Sequence, residues 1–212
     1  MRHYHIEPLR EDDFDNLKRL SSTAWNYSAY TKDERIMDHA VKLDTHVCMG
    51  LCNDTLAVYD QDKLIGVVLA YLSVKKRPIS RFTHYFKAFY HGLYLGLRNR
   101  ESRTILKDLR KTEKAYQQML KEAKLPYKEE LVLFITHKDY QGQGIGKALI
   151  EAFENRLRQA SKSAYYLFSD TSCNYGFYDH NGYERIQNKT IQQGKKTDEK
   201  TLDMFMYTKS LK

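Results

Sequence analysis

LVLFITHKDYQGQGIGKALIEAF, Leu131 to Phe153, joins a strand-like run to a helix through three closely spaced glycines. Leu131 to Thr136 is rich in branched and aromatic side chains, which suit a strand. A polar turn, His137 to Tyr140, follows. Ile145, Ala148, Leu149, Ala152, Phe153 and Leu157 then recur at three- and four-residue intervals, giving a helix with one apolar face. The glycines therefore fall where a strand hands over to a helix N-terminus. There the first-turn amides lack intrahelical partners and the helix dipole is positive. Glycine lets a ligand approach the backbone, so the segment reads as a cradle for a pyrophosphate.

Counting discriminates between cradles. A Walker A loop needs a glycine five residues before its Gly-Lys pair and a Ser or Thr after it. Here those positions are Gln141 and Ala148. A dinucleotide fingerprint started at Gly142 requires a sixth-position glycine and finds Lys147. Gln141, Gly144 and Gly146 do fit Gln/Arg-x-x-Gly-x-Gly/Ala. With its flanking strand and helix, this resembles the acetyl-CoA site of the GNAT N-acetyltransferase superfamily. A second block agrees: a strand over Ala164 to Ser169, then Asn174, Tyr178 and the pair Gly182-Tyr183 in the order GNAT proteins place them. The resemblance is close over residues 131–190 and looser toward both ends.

A bacterial-type, single-domain GNAT protein implies a mixed α/β (α+β) fold. Its central sheet has six to seven mostly antiparallel strands, with strands four and five parallel and splayed, and helices cover both faces. The N-terminal pattern agrees. A first strand is expected over residues 3–8, then a helix with Glu11, Asp12 and Asp13 at its start and Phe14, Leu17 and Leu20 on its buried side. Trp25, Tyr27 and Tyr30 fall in a loop. A second helix is expected from Asp33 to about Met49, then strands over Leu56–Asp60 and Leu64–Leu72. The two helices are implied to wall the acceptor cleft. A hairpin with strands to about Ile191 and over Leu202–Tyr207 closes the chain around a polar turn, Gln192 to Lys200.

The departure from the family pattern is Val74 to Lys128, read as a helical hairpin (about 75–128) inserted between strands three and four of one 1–212 domain. Pro78 breaks the chain before it and Pro126 ends it. Phe82, Tyr85, Phe86, Phe89, Tyr90, Leu93 and Tyr94 recur at helical spacing. They would pack the hairpin onto the sheet or form a homodimer interface, the reading favoured here, or else line an acceptor pocket. His84 and His91 read as packing or surface residues. The second helix, Thr104 to Lys124, carries Ile105, Leu109, Tyr116 and Leu120 on one side.

The net charge is +8. Lysines and arginines occur throughout, with short clusters such as Lys75-Lys76-Arg77, and most read as solvated surface. Part of the excess would attract CoA phosphates. A dedicated nucleic-acid role is not expected, for no such motif is present. No stretch approaches the ~20 apolar residues of a span and the N-terminus lacks a signal-like run, so a cytoplasmic protein without membrane partners is expected. Cys48, Cys52 and Cys173 are expected to be reduced, the first two as small buried residues. His3 and His5 alone make no metal site, and no metal is expected.

The family resemblance implies roles. Acetyl-CoA would lie along strand four at Phe134, Ile135 and Thr136, with Phe134 nearest the acetyl carbonyl, and its pyrophosphate on Gln141, Gly142, Gln143, Gly144, Ile145, Gly146 and Lys147. Lys147 adds charge there or points to solvent. Asn174 holds the cofactor or caps its helix. Tyr178 is the candidate acid, since a phenol near pKa 10 can protonate a thiolate whose conjugate acid lies near 8.5. Glu130 is the candidate base, on an alternating strand face with Val132 and Phe134 but about 13 Å along the strand from Phe134. Glu129, Asp170 or no dedicated base are the alternatives. The expected reaction is direct acetyl transfer to a primary amine in a ternary complex. The rival reading is a non-catalytic acyl-CoA-binding sensor or interaction module. The acceptor's identity is not written in the sequence.

Overall fold

A computed structural model describes residues 4–24, 31–195 and 198–211. His3 and the loop residues Trp25, Tyr27 and Tyr30 lie outside the described residues. The strands are β1 (Ile6–Glu7), β2 (Asp54–Asp60), β3 (Lys63–Tyr71), β4 (Glu130–Thr136), β5 (Ala164–Asp170), β6 (Glu184–Lys195) and β7 (Asp198–Ser210). They form one sheet ordered β1-β2-β3-β4-β5-β7-β6, antiparallel except for β4 and β5. The mixed α/β sheet with one parallel pair is as expected. β1 is shorter than residues 3–8. The C-terminal hairpin is longer than expected, because the polar stretch is paired backbone (Gln192 opposite Thr201, Gln193 opposite Lys200).

Among the described residues the α-helices are α1 (Phe14–Ala24), α2 (Glu34–Leu51), α3 (Ser80–Arg98), α4 (Arg100–Ala123), α5 (Ile145–Gln159) and α6 (Gly176–His180), of which α3 packs on α2 and α4 rather than on the sheet. Local chemistry sets their ends. Asp33 accepts the Arg35 and Ile36 amides at the start of α2, and Asn99 forms a reciprocal capping box with Ser102 at the start of α4. On one face, Ile145, Leu149, Phe153 and Leu157 of α5 pack on Val68, Leu131, Leu167 and Tyr207. Here Gly66 is needed, since a Cβ would come within 2.9 Å of Leu149 Cδ1. On the other face, Leu17, Leu20, Cys48 and Cys52 cover Leu69, Leu133 and Ile135, while Ala115 and Met119 of α4 cover Tyr166, Met204 and Met206.

The insertion is a helical hairpin, α3 and α4, between β3 and β4. α4 reaches across the sheet. Its N-terminal half packs on α2 and α3 through Ile105 and Leu106. Its side chains also meet β6, where Lys111 donates to the Gln192 carbonyl at 2.6 Å and Asp108 accepts the Gly194 amide at 2.8 Å. The aromatic stripe of α3 does not pack onto the sheet: Phe82, Phe86, Phe89 and Tyr90 are all more than half exposed. α3 buries the opposite face instead, through Ala88, His91 and Leu95.

Candidate active site

β4 and β5 are hydrogen-bonded neighbours only at Glu130–Tyr166 and Leu131–Leu167, and beyond Leu131 they part. A cavity of about 1060 Å³ occupies the gap and is lined from both faces of the sheet. Its α5-side wall includes Phe134, Gly142, Gly144, Gly146, Asn174 and Tyr178. Its other wall includes Asp44 and Cys48 of α2, Asp108, Glu113 and Tyr116 of α4, and Glu130.

The glycine turn borders the cavity. Gly142 and Gly144 have φ of +77° and +82°, and a Cβ at either would meet nothing within 4 Å, so the space above them is open. Gly144 precedes α5 with no side-chain cap, which leaves the first-turn amides facing outward. Gly146 sits against Phe134, its missing Cβ 3.1 Å from Phe134 Cζ. Gln141, Ile145, Lys147, Ile135 and Thr136 also border the cavity. Ile135 does so while its side chain packs under α1, leaving its backbone for the gap. Two residues of the turn have protein partners of their own. Gln143 is not in the wall and accepts a hydrogen bond from Tyr4 at 3.0 Å. The Lys147 ammonium is 3.8 Å from Glu151 and its side chain is largely exposed.

β4 carries a bulge that the alternating pattern conceals. Leu69 lies opposite Leu133 and Ala70 opposite Leu131, so Val132 is the extra residue. The alternation reverses there. Leu131 packs with α5, whereas Leu133 and Ile135 pack under α1. Phe134 turns to the α5 side, where it meets the Phe177 ring at 5.4 Å. Glu130 therefore does not share a face with Phe134. It sits on the α4 side and accepts a hydrogen bond from Tyr166 at 3.0 Å.

Burial pushes the Glu130 carboxyl up to about 7, assisted by the negative Glu113 and opposed by the Tyr166 hydrogen bond. Glu129 has the opposite character. Its carboxylate takes hydrogen bonds from Ser73, the Lys128 amide and Lys162, which hold it down at about 2 against the cost of burial, and it lies outside the cavity wall. Asp170 borders the cavity but accepts from the Ser172 amide and hydroxyl.

Tyr178 is buried between Tyr183 and Tyr207, with ring centroids 5.1 and 5.3 Å away. Burial raises its phenol well above the ordinary value, so it stays protonated. α6 is pinned by the next residue: Asp179 accepts two bonds from Arg185, at 2.7 and 2.9 Å, and one from Tyr207 at 2.9 Å. Asn174 does not cap α6, whose N-cap is Tyr175 with no side-chain bond, and its side chain is left in the cavity wall. Cys173, a partly buried thiol outside any disulfide, lines the same wall. Cys48 and Cys52 are buried thiols, the latter pushed up to about 12 by desolvation. Among the described residues no three His, Cys, Asp or Glu side chains are placed to hold a metal ion.

The cavity fits a long, phosphorylated thioester. It offers outward amides over open glycines at one end and a strand edge that β5 leaves unpaired in the middle. The buried Ser169 hydroxyl of its wall has no hydrogen-bond partner among the described residues.

Residues 112–185 match the family model described as an acetyltransferase (GNAT) domain. No curated protein matches the chain by sequence. Among solved structures, the chain is similar to the PaiA N-acetyltransferase of Thermoplasma acidophilum in complex with coenzyme A (13% identity, 99% of this chain and 100% of that one, TM-score 0.55). It is similar to an N-acetyltransferase of Staphylococcus aureus Mu50 (14%, 100% and 100%, TM-score 0.53). A third is the ribosomal-protein-S18-alanine N-acetyltransferase of Escherichia coli (10%, 98% and 94%, TM-score 0.51). The matched segment, residues 112–185, thus carries the sequence likeness to a GNAT acetyltransferase domain, and the whole chain shares its fold with these solved N-acetyltransferases.

Proposed function

We propose that the protein moves the acetyl group of acetyl-CoA directly to a primary amine held with it in one complex. The observation that carries this reading is the single cavity through the β4–β5 gap, with the glycine turn on one side of the sheet and Glu130 on the other. A cytoplasmic setting, where acetyl-CoA and reduced thiols coexist, is part of the same reading. Support for the cofactor also comes from the similar PaiA enzyme, whose structure contains coenzyme A.

The roles follow from position. The first-turn amides of α5 hold the pyrophosphate, and the unpaired edge of β4 at Phe134 to Thr136 aligns the pantetheine arm. A backbone N–H at Phe134 stabilises negative charge on the acetyl oxygen. The amine enters from the α2–α4 side. There Asp44, Asp108, Glu113 and Glu130 border the cavity, a lining that favours a cationic acceptor. Glu130, near 7, takes the proton the ammonium must lose, with water bridging any remaining distance. The neutral nitrogen bonds to the acetyl carbon, the C–S bond breaks, Tyr178 donates its proton to the departing sulfur, and the second proton shed by the acylated nitrogen restores the Tyr178 phenol. Cys173 takes no part.

The test is thiol release from acetyl-CoA with a panel of diamines, amino sugars and peptides. Tyr178→Phe is expected to lower kcat by roughly 10²–10⁴-fold with cofactor affinity unchanged, and Cys173→Ala to keep turnover. Saturable CoA binding with no turnover on any amine would give the reading up for a sensor. Loss of turnover in Cys173→Ala with intact binding would replace direct transfer by a covalent intermediate.

A further inference from the structure

Every large hydrophobic side chain exposed among the described residues lies between Val74 and Leu97. Those on α3 are not scattered. At 100° per residue, the side chains of residues 79, 82, 86, 89, 90, 93 and 97 fall within an arc of about 100°. Ile79, Phe86 and Leu97 are 87%, 73% and 74% exposed. The stripe runs about 27 Å along the helix. It points away from α2, because the opposite arc of α3 carries the buried Ala88, His91 and Leu95. Tyr85, at the margin, is wedged against α2 where Gly50 leaves room for its ring.

The second observation is charge. Cations occur all along the chain, but their excess does not. Residues 75–107 hold nine lysines and arginines and one acid, Glu101, a net +8. The rest of the chain, 26 against 26, is neutral. The whole excess of the protein thus falls in the segment of sequence that carries this one apolar stripe. Lys76, Arg77, Lys87, Arg98, Arg100 and Arg103 are all exposed. Lys75 is committed to Asp54 at 2.6 Å, and Arg81 lies over the Phe82 ring.

We infer that α3 is a docking face for an anionic lipid surface, on which the helix lies in the plane of the interface with its phenylalanines and leucines inserted and its cations among the headgroups. An amphipathic helix with aromatic and leucine side chains on one face and lysine and arginine beside it has the composition of an interfacial helix. Juxtaposed cations gain from an anionic leaflet. A second copy fits less well, since a two-fold contact would bring together two segments that each carry a net +8. Nucleic acid would use the cations but not the aliphatic Ile79, Leu93 and Leu97. That no described helix is long and apolar enough to span a membrane does not bear on peripheral binding.

The inference is independent of the acetyl-transfer reading. Its test is co-sedimentation of the full chain with vesicles of pure phosphatidylcholine, or of phosphatidylcholine with about 30% phosphatidylglycerol, at about 0.1 M salt. Partitioning onto the anionic vesicles is expected to be at least about tenfold stronger and to weaken with salt. Phe86→Ser with Phe89→Ser is expected to remove most of it, and Lys76→Glu with Lys87→Glu to weaken it severalfold. These side chains are exposed, so an unchanged thermal midpoint and unchanged CoA binding establish that the variants fold. Equal binding to both vesicle types, no binding to either, or binding indifferent to Phe86 and Phe89 overturns the proposal. A stable dimer in solution that the Phe86/Phe89 variant dissociates, without vesicle binding by the wild type, assigns the face to a second copy. Nucleic-acid binding lost in the same variant, again without vesicle binding, assigns it to nucleic acid.

Discussion

At the scale of single residues, Glu130 separates what a strand pattern can convey from what it cannot. The glycines were readable because positive φ at Gly142 and Gly144 leaves glycine as the unstrained choice. Accordingly Gly144→Ala should cost about 1–2 kcal/mol of stability, seen as a lowered denaturation midpoint. The face of Glu130 was not readable, because the extra residue at Val132 reverses an alternation that the sequence presents as unbroken. Tyr166, which fixes the Glu130 carboxyl, lies on another strand and carries no local signal. The assignment of Glu130 as base has a pH signature. As the carboxyl must be ionised to accept a proton, kcat/KM should rise with pH through about 7 and then level off. Glu130→Gln should remove that limb and lower the plateau roughly 10²-fold or more. Its effect on stability should be opposite. A carboxyl raised from 4.5 to about 7 by folding holds its proton more tightly in the native state, so its contribution is favourable below the unfolded value and is lost as pH rises through 7. Hence Glu130→Gln should melt at or above the wild-type temperature at about pH 8, which thermal unfolding from about pH 6 to 8 would check.

At the scale of elements, the helical hairpin was legible from periodicity and its proline boundaries, but the buried side of α3 was not. Two stripes share that helix at the same period. The more apolar one reads as core by hydropathy, yet the interior receives the smaller and more polar one. The reason is the partner. α2 offers His39 and His46, and α3 meets them with His84 and His91. The two pairs have Nδ1–Nδ1 separations of 3.0 Å (His46–His84) and 2.9 Å (His39–His91). Such a pair is satisfied only while one ring is neutral and accepts. Phe14 stacks on His46 and Tyr94 on His39, while Lys42 and Lys87 add positive charge and Asp38 opposes it. Burial, the neighbouring histidines and these lysines push His46 down to about 3 and His91 to about 4, and burial lowers His39 and His84 as well. The sign is that of a depressed base: stability is full above the unfolded value of 6.5 and is lost as pH falls toward 4, since the unfolded chain takes up protons that the seam refuses. The thermal midpoint should fall across that range. His91→Gln, which keeps a side-chain hydrogen-bonding group but cannot titrate, should take up about one proton fewer on unfolding.

At the scale of the whole molecule, the β4–β5 gap divides the sheet into β1–β4 and β5–β7, joined by strand pairing at only two positions. α5 bridges the halves on one face through Leu149 and Phe153. On the other face the inserted α4 does so, reaching from Ile36 and Val41 of α2 to Met204 and Met206 of β7. The parallel, splayed pair followed from the family resemblance. The bridging role of α4 did not, because it depends on contacts from Asp108 and Thr112 to β6, about eighty residues away in sequence. On the proposed placement, a cofactor along the edge of β4 has a mechanical part, since it supplies partners that β5 withholds. CoA at about a hundred times its dissociation constant should stabilise the fold by about 2.7 kcal/mol, or roughly 5–10 °C in Tm for a chain of this size. General tightening would spread slowed hydrogen exchange over the molecule. A wedge in the gap predicts it concentrated at the amides of residues 132–136 and 142–148, with β2 and β3 little changed. Uniform protection, or none at β4, would mean that coenzyme A binds elsewhere and that the gap is only a defect in the sheet.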